Sequence, residues 1–157
     1  MNAEKIEQII REYIPQIIHM SLATAKDNKP WVCEVHFSYD DDLNIYFGSS
    51  SKTRHAQEIL ANPYVSGNIV TQHHKNQAVR CVDFEGRAEM LDADAAERFA
   101  YPAHVVRNGE SQWLLDEIRK DGDMRFFRIK VSDFYVFDSY EDERTKNHLP
   151  WKSEVKA

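Results

Sequence analysis

The chain has 157 residues, of which 42% are hydrophobic, 11% aromatic and 29% charged. This is the ordinary composition of a single globular domain with a proper core. Its net charge of −6 does not provide the basic surface that non-specific nucleic-acid binding needs. No apolar run reaches membrane-spanning length, and no basic-then-apolar leader opens the chain. We therefore expect a cytoplasmic protein with neither a nucleic-acid nor a membrane partner.

The first part of the chain is predicted to form one helix and two strands. Apolar residues at helical spacing predict a helix from Ala3 to Tyr13, and Pro15 follows it. Alternating polarity then predicts two strands, over residues 18–23 and 31–38. The residues between them, Lys26 to Pro30, have the composition of a turn. These elements predict a hairpin behind an amphipathic helix.

The stretch from Leu43 to Val70 carries the most chemistry. An alternating strand over residues 43–47 is interrupted at Gly48, and three serines, Ser49–Ser51, follow. From Thr53 the apolar residues recur at helical spacing until Asn62-Pro63 ends the helix. This elbow brings hydroxyls, backbone amides and the cationic side chains of Lys52, Arg54 and His55 to a helix N-terminus. Such a combination suits a phosphate group.

The elbow also has a plainer interpretation. Ser49–Ser51 can cap the helix while Lys52 and Arg54 lie in solvent. The residues alone leave both interpretations open.

The second half predicts strands and short helices. Residues 78–91 and 124–137 read as long strands, and Gly86 inside the first of them indicates a bulge or a close backbone approach. Short helices are predicted from Asp94 and from Ser111. We therefore expect a mainly β protein, a six-stranded antiparallel barrel with peripheral helices.

This organisation is predicted to form one domain over residues 1–157. Residues 1–14 would form the N-terminal helix, residues 15–138 the barrel with its inserted helices, and residues 139–157 a C-terminal tail.

The remaining polar clusters predict no metal site. Asp40–Asp42 lacks calcium-loop spacing, and the neighbouring His73 and His74 would point in different directions on an extended chain. The two cysteines, Cys33 and Cys81, have no Cys-x-x-Cys spacing, so we expect free, buried thiols.

The order of these motifs resembles the pyridoxamine 5′-phosphate oxidase-like flavin proteins, whose fold is an FMN-binding split barrel. The resemblance rests on four segments between Leu22 and Leu91. They are Leu22–Ala25 with its turn, the strand and elbow Ile45–His55, Asn62–Ser66, and Phe84–Glu89. The elbow is most similar to that of an uncharacterised bacterial branch and not to that of the true oxidases.

The resemblance implies a homodimer that holds FMN between its subunits. The isoalloxazine edge would meet the backbone of Val35, His36 and Phe37. Arg80 or Cys81 would come from the neighbouring subunit. The phosphate would lie on the elbow, at Ser50, Ser51, Lys52, Thr53, Arg54 and His55.

Several positions depart from the family pattern. Cys33 stands where the true oxidases carry a phosphate-binding arginine, and His55 stands where many relatives have lysine. The C-terminal substrate segment of the true oxidases is absent. Oxidation of pyridoxamine phosphate is therefore not expected.

Three functional hypotheses follow. The first is an FMN-dependent oxidoreductase of unknown substrate. The second is a sensing protein that binds flavin or haem without turnover, and the third is a split-barrel dimer without a cofactor. No Ser-His-Asp or Cys-His pairing is legible in the sequence, so the catalytic residues stay unknown, and His36 is the best guess for an acid or base.

Overall fold

The computed structural model describes residues 1–139 and 143–152, and for residues 143–145 the backbone alone. The helices are α1 (Ala3–Tyr13), α2 (Arg54–Ala61), α3 (Ala93–Ala95), α4 (Tyr101–Asn108) and α5 (Gln112–Arg119). The strands are β1 (His19–Lys26), β2 (Lys29–His36), β3 (Ser38–Tyr39), β4 (Ile45–Ser50), β5 (Tyr64–Val70), β6 (Arg80–Met90), β7 (Met124–Asp138) and β8 (Glu143–Pro150). A 3-10 turn, Ile14–Gln16, follows α1, and a π-helical turn, Ala96–Ala100, joins α3 to α4.

The strands form one antiparallel sheet that curves into a half-barrel. Its order is β2-β1-β5-β6-β7-β4-β3, and β8 adds to β7 outside this path. The predicted class is confirmed, but the predicted number of six strands is wrong, because the described residues contain eight. The two additional strands are β3, which has only two residues, and β8. Strand β8 comes from the segment that we assigned to a C-terminal tail, and its Leu149 is buried in the main core.

Two hydrophobic cores lie on opposite sides of β4 and β7. The first core contains α1, with Ile6, Ile9 and Ile10, and the inward-facing residues of the strands, among them Phe47 and Phe127. The second core lies between α3–α5 and the outer side of the same strands. Its members are Tyr46, Leu91, Ala96, Ala100, Ala103, Leu114, Ile118 and Phe126.

Because of this second core, β4 is buried on both faces. The alternation around Tyr46 predicts a strand with one solvent-exposed face, whereas Ile45, Tyr46 and Phe47 are all buried. Tyr46 tolerates burial because its hydroxyl donates to Asp40 Oδ2 at 2.8 Å, which satisfies the polar atom of an otherwise apolar ring.

Gly86 marks a bulge in the longest strand pair, as the sequence predicts. The register between β6 and β7 shifts between Glu85 and Gly86. A Cβ at position 86 would lie 2.3 Å from the backbone oxygen of Lys130, and a backbone atom inside a sheet cannot move aside cheaply. Only glycine fits here.

We therefore expect Gly86→Ala to lower the free energy of unfolding by about 1–3 kcal/mol, the usual cost of an added group in a packed site. The measurement is urea unfolding followed by tryptophan fluorescence. Gly48→Ala is the matched control, since its Cβ would meet Phe126 at an ordinary 3.7 Å. Equal midpoints for the two variants would contradict this account of the bulge.

Candidate functional site

A groove of about 380 Å³ opens where the two cores meet. One wall is the end of β2, from Glu34 to Phe37, and the floor is β4 from Tyr46 to Ser49. The opposite wall comes from α4, α5 and the start of β7. The residues that line this wall are His104, Asn108, Trp113, Leu114, Met124 and Phe126. The volume lies in the range of small-molecule sites, roughly 300–1,000 Å³.

His55 is the polar centre of this groove. Its side chain belongs to the first turn of α2 but turns inward, so that the residue is only 8% exposed. Nε2 lies 2.7 Å from Ser49 Oγ and 3.1 Å from Thr53 Oγ1. On the other side of the ring, Nδ1 lies 3.4 Å from Cys33 Sγ. We predicted no Cys–His pairing, yet the fold brings these two side chains into contact.

Burial keeps these groups uncharged. It lowers the pKa of His55 below its ordinary value, although the nearby Glu58 carboxylate acts in the opposite direction. Burial also raises the pKa of the Cys33 thiol, and Glu34 adds to the effect. At neutral pH the pair is therefore a neutral imidazole beside a thiol.

The two permanent cations of the elbow, Lys52 and Arg54, do not line the groove. The Lys52 ammonium lies 3.1 Å from Asp123 Oδ2 in solvent. The Arg54 guanidinium lies over the ring of Trp31 at 4.2 Å from its centroid, and its Nε is 3.2 Å from Glu58 Oε2. The structure thus brings His55 to the groove and leaves Lys52 and Arg54 on the outer side of the elbow.

Much of the elbow backbone already has hydrogen-bond partners. Thr53, and not one of the three serines, is the N-cap of α2, since its side chain accepts from the amide of Ala56. The Ser51 amide donates to the carbonyl of Asp123, and the Lys52 amide donates to Ser50 Oγ. Fewer amides are therefore available to an anion than the sequence suggests.

The remaining predicted site residues divide between two places. Val35, His36 and Phe37 line the groove next to Ser49 and His55. Arg80 and Cys81 lie elsewhere. Their positions pair with Asp138 and Phe137 at the far end of β7, whereas Met124 and Phe126 at its start line the groove. Arg80 is held by the buried Asp138, with Nη2 2.7 Å from Oδ2. Within one chain they do not contribute to this groove.

Of the residues that line the groove, four were predicted from the sequence, namely Val35, His36, Phe37 and His55. Ser49 belongs to the elbow that was singled out, so its neighbourhood was a usable signal. His104, Trp113 and Phe126 come from segments more than forty residues further along the chain, and only the packing of α4 and α5 onto β7 brings them to β4. Trp113 is 62% exposed at the rim.

Among residues 1–139 and 143–152, no three or more His, Cys, Asp or Glu side chains are grouped as metal ligands. In the same part of the chain, no helix is long and apolar enough to cross a membrane.

The curved antiparallel half-barrel, its flanking helices and the groove at its open side define a split-barrel protein. The profile of the family described as Pyridoxamine 5'-phosphate oxidase matches residues 6–138, and the chain belongs to this family.

Among curated proteins, a UPF0306 protein from Photorhabdus laumondii is 26% identical over 139 residues, which cover 83% of this chain and 97% of that protein. A UPF0306 protein from Yersinia pestis is 21% identical over 90 residues, and this match spans only 61% of its length.

Solved structures share the fold at low identity. HutZ, the haem storage protein from Vibrio cholerae, superimposes with a TM-score of 0.65 at 21% identity, over 95% of this chain and 98% of that chain. A haem binding protein from Mycobacterium smegmatis gives a TM-score of 0.69 at 18% identity, over 87% of this chain and 55% of that chain.

The buried histidines predict that acid destabilises the protein. Because burial lowers the pKa of both His55 and His104 in the folded state, the unfolded chain binds protons at higher pH than the folded chain does. Their contribution to stability is therefore complete above the unfolded value of 6.5 and is lost as the pH falls through the lower folded values.

Urea titrations between pH 8 and pH 5 measure this dependence. We expect His55→Gln to flatten the slope of the free energy of unfolding against pH. His74→Gln, in an exposed loop, is the control and should leave the slope as in the wild type. A His55→Gln variant with the wild-type slope would contradict the assignment.

Proposed function

We propose that the chain is an FMN-binding oxidoreductase that acts on an unidentified substrate. The observation that carries the proposal is the groove itself, which joins the strand backbone of Val35–Phe37 to Ser49 and His55 of the elbow. These are the two places where the family resemblance implies the ring system and the phosphate. Bound flavin would supply hydride or electron transfer, and the protein would supply binding, orientation and electrostatics.

The lining of the groove suits a flat aromatic ring system. The almost fully buried rings of Phe37, Phe47 and Phe126 form part of the apolar lining, and Trp113 stands at the rim where it can cover a ring. Cofactor sites of this kind combine apolar and aromatic walls with a few polar groups that set the orientation. Here Ser49 and His55 are such polar groups, and both lie at the elbow end.

The two outer cations of the elbow, Lys52 and Arg54, differ in how easily each could move to contact a bound phosphate. Among the described residues, the Lys52 ammonium pairs with the exposed carboxylate of Asp123. Such surface pairs are worth about 0–1 kcal/mol, so the flexible ammonium can leave Asp123 at little cost. Arg54 is held by the Trp31 ring and by Glu58, whose side chain is only 6% exposed. We therefore propose Lys52 as the more mobile of the two phosphate ligands.

A second copy of the chain is part of this proposal. The register of β2, β1 and β5 places Val32, Ala23 and Ser66 side by side on the outer face of the sheet. Val32 is 61% exposed there, beside a shallow cavity of about 470 Å³. An identical subunit on this face would cover the apolar side chains. The family resemblance implies that Arg80 and Cys81 would then contribute to the partner's groove.

FMN titration followed by flavin absorbance and fluorescence tests the proposal. We expect one FMN per subunit and a sedimenting species of two chains. The double variant Lys52→Ala/Arg54→Ala should bind FMN at least about a hundredfold more weakly, because each charge-assisted contact contributes about 1.5–3 kcal/mol. Its affinity for riboflavin, which lacks the phosphate, should stay at the wild-type value.

The control is Arg119→Ala/Lys120→Ala, which removes the same charge from the exposed end of α5. A Lys52→Ala/Arg54→Ala protein with wild-type affinity for FMN would remove these cations from the phosphate site. A wild-type protein that binds neither FMN nor riboflavin would refute flavin binding.

Haem is the second candidate ligand, because three histidines, His36, His55 and His104, line the same groove. The side chain of His36 is exposed. Among the described residues, its one ring contact is a tilted one with His19, at 5.5 Å between centroids. It is therefore the histidine best able to act as an axial ligand to iron. Two of the structurally similar proteins reported above are a haem binding protein and a haem storage protein.

Titration with haemin tests this alternative. If haem is the ligand, a Soret band should develop at one haem per subunit, and His36→Ala should shift the band and weaken binding by at least about tenfold. The exposed His74→Ala is the control and should behave as the wild type. Identical spectra of the wild type and the His36→Ala variant would exclude His36 as the axial ligand.

A further inference from the structure

We propose that Cys33 and His55 are positioning residues that hold the Ser49 hydroxyl as a hydrogen-bond donor toward a phosphoryl oxygen in the groove. This assignment deepens the proposed function and rests on it. Three side chains from three elements form the line of contacts. Cys33 belongs to β2, His55 to α2 and Ser49 to β4, and only Ser49 and His55 of the three line the groove.

Thr53 decides which ring nitrogen of His55 carries the proton. The Thr53 hydroxyl donates its single hydrogen to the carbonyl of Ser50 at 2.9 Å. As the N-cap, the same oxygen accepts from the amide of Ala56 at 3.3 Å. A hydroxyl has one hydrogen and two lone pairs, so Thr53 has only acceptor capacity left for Nε2, 3.1 Å away. That contact is favourable only when Nε2 carries the hydrogen.

Cys33 completes the assignment from the other side of the ring. With the proton on Nε2, Nδ1 of a neutral imidazole is a bare acceptor. Cys33 Sγ lies 3.4 Å from it and can donate its S–H. The opposite arrangement, Nδ1–H toward sulfur, would leave Nε2 and Thr53 as two acceptors facing each other. Burial favours the neutral forms of both residues, so a thiol hydrogen is available to donate.

The tautomer of His55 determines how the Ser49 hydroxyl is oriented in the groove. The single Nε2–H is shared between two oxygens, Ser49 Oγ at 2.7 Å and Thr53 Oγ1 at 3.1 Å. The Ser49 oxygen therefore acts as an acceptor toward His55. The Ser49 hydrogen must then point elsewhere. Thr53 Oγ1 lies 3.4 Å away, but its two lone pairs already accept from the Ala56 amide and from Nε2–H. This distance is also long compared with the usual 2.7–2.8 Å of an O–H···O bond. A ligand oxygen at normal distance would accept this hydrogen.

A charged acceptor gains most from such a donor. Hydrogen bonds to ionised oxygens are shorter and roughly twice as strong as neutral ones, and Ser49 lies at the elbow end of the groove, where the phosphate is proposed. The chain would thus present a neutral, oriented hydroxyl to the anion inside the groove. Its cations would act from outside.

The tautomer of His55 can be measured without any ligand. Long-range ¹H–¹⁵N correlation spectra of the free protein near pH 8 distinguish Nε2–H from Nδ1–H, and the His55→Gln spectrum identifies the signals. We expect Nε2–H in the wild type. Cys33→Ala, which removes the donor to Nδ1, should populate the Nδ1–H form, whereas Cys33→Ser should keep Nε2–H. Cys81→Ala is the matched control and should leave the spectrum unchanged.

Nδ1–H in the wild type, or a Cys33→Ala spectrum with wild-type populations, would overturn the positioning role. The ligand contact is tested separately. Ser49→Ala should weaken FMN binding by about tenfold or more and leave riboflavin binding unchanged, with Ser139→Ala as the control. Equal FMN affinity in Ser49→Ala and wild type would overturn the contact. A wild-type protein that binds no FMN would refute the proposed function and this contact, and the tautomer would stand as a separate result.

Discussion

The packing of the inserted helices against the outer side of β4 and β7 is the constraint on which the site depends. Phe126 and Phe127 are neighbours in sequence, but they belong to different cores because successive side chains of a strand point to opposite faces. Strand β4 is packed on both faces, and its C-terminal end forms the floor of the groove between β2 on one side and α4 and α5 on the other. The groove is this end of β4. Its shape therefore depends on α4 and α5 as much as on the barrel.

Electrostatically, the site separates into a neutral interior and a charged exterior. Burial of His55 is compensated by hydrogen bonds at both ring nitrogens and not by an ion pair, which agrees with the general cost of burying a charge. The permanent cations of the elbow stay outside, where Asp123, Trp31 and Glu58 hold them. An anion bound in such a site would be held by oriented hydrogen-bond donors inside the groove and by the mobile Lys52 ammonium at its rim.

Local sequence patterns predicted the elements well where a single periodicity governs them. The α1 boundaries, Ala3–Tyr13, agree with the prediction, and the elbow, the stop at Asn62-Pro63 and the bulge at Gly86 follow from residue types whose backbone preferences are strong. Burial of Tyr46 and the pairing of β8 were not accessible in this way, because each depends on a partner segment distant in sequence. The same limit applies to the candidate site. Periodicity placed His55 at a helix N-terminus. Its side chain points inward toward Cys33, and that of Lys52 points outward toward Asp123, and both partners are distant in sequence.

The two candidate cofactors make different demands on the histidines of the groove. Haem iron needs an imidazole nitrogen with a free lone pair, and His55 could offer one only by giving up Cys33 or its two hydroxyl partners. His104 is similarly engaged, with Nε2 3.2 Å from Ser111 Oγ and Nδ1 3.4 Å from Asn108 Nδ2, so His36 is the one groove histidine without such a bond among the described residues. Flavin needs no axial ligand, and it uses the features that the groove already has, which are apolar ring surface at one end and oriented polar groups at the other. Structural similarity at 18% and 21% sequence identity shows the fold alone, so the haem proteins with this fold do not decide between the two ligands. The different demands on the histidines favour flavin.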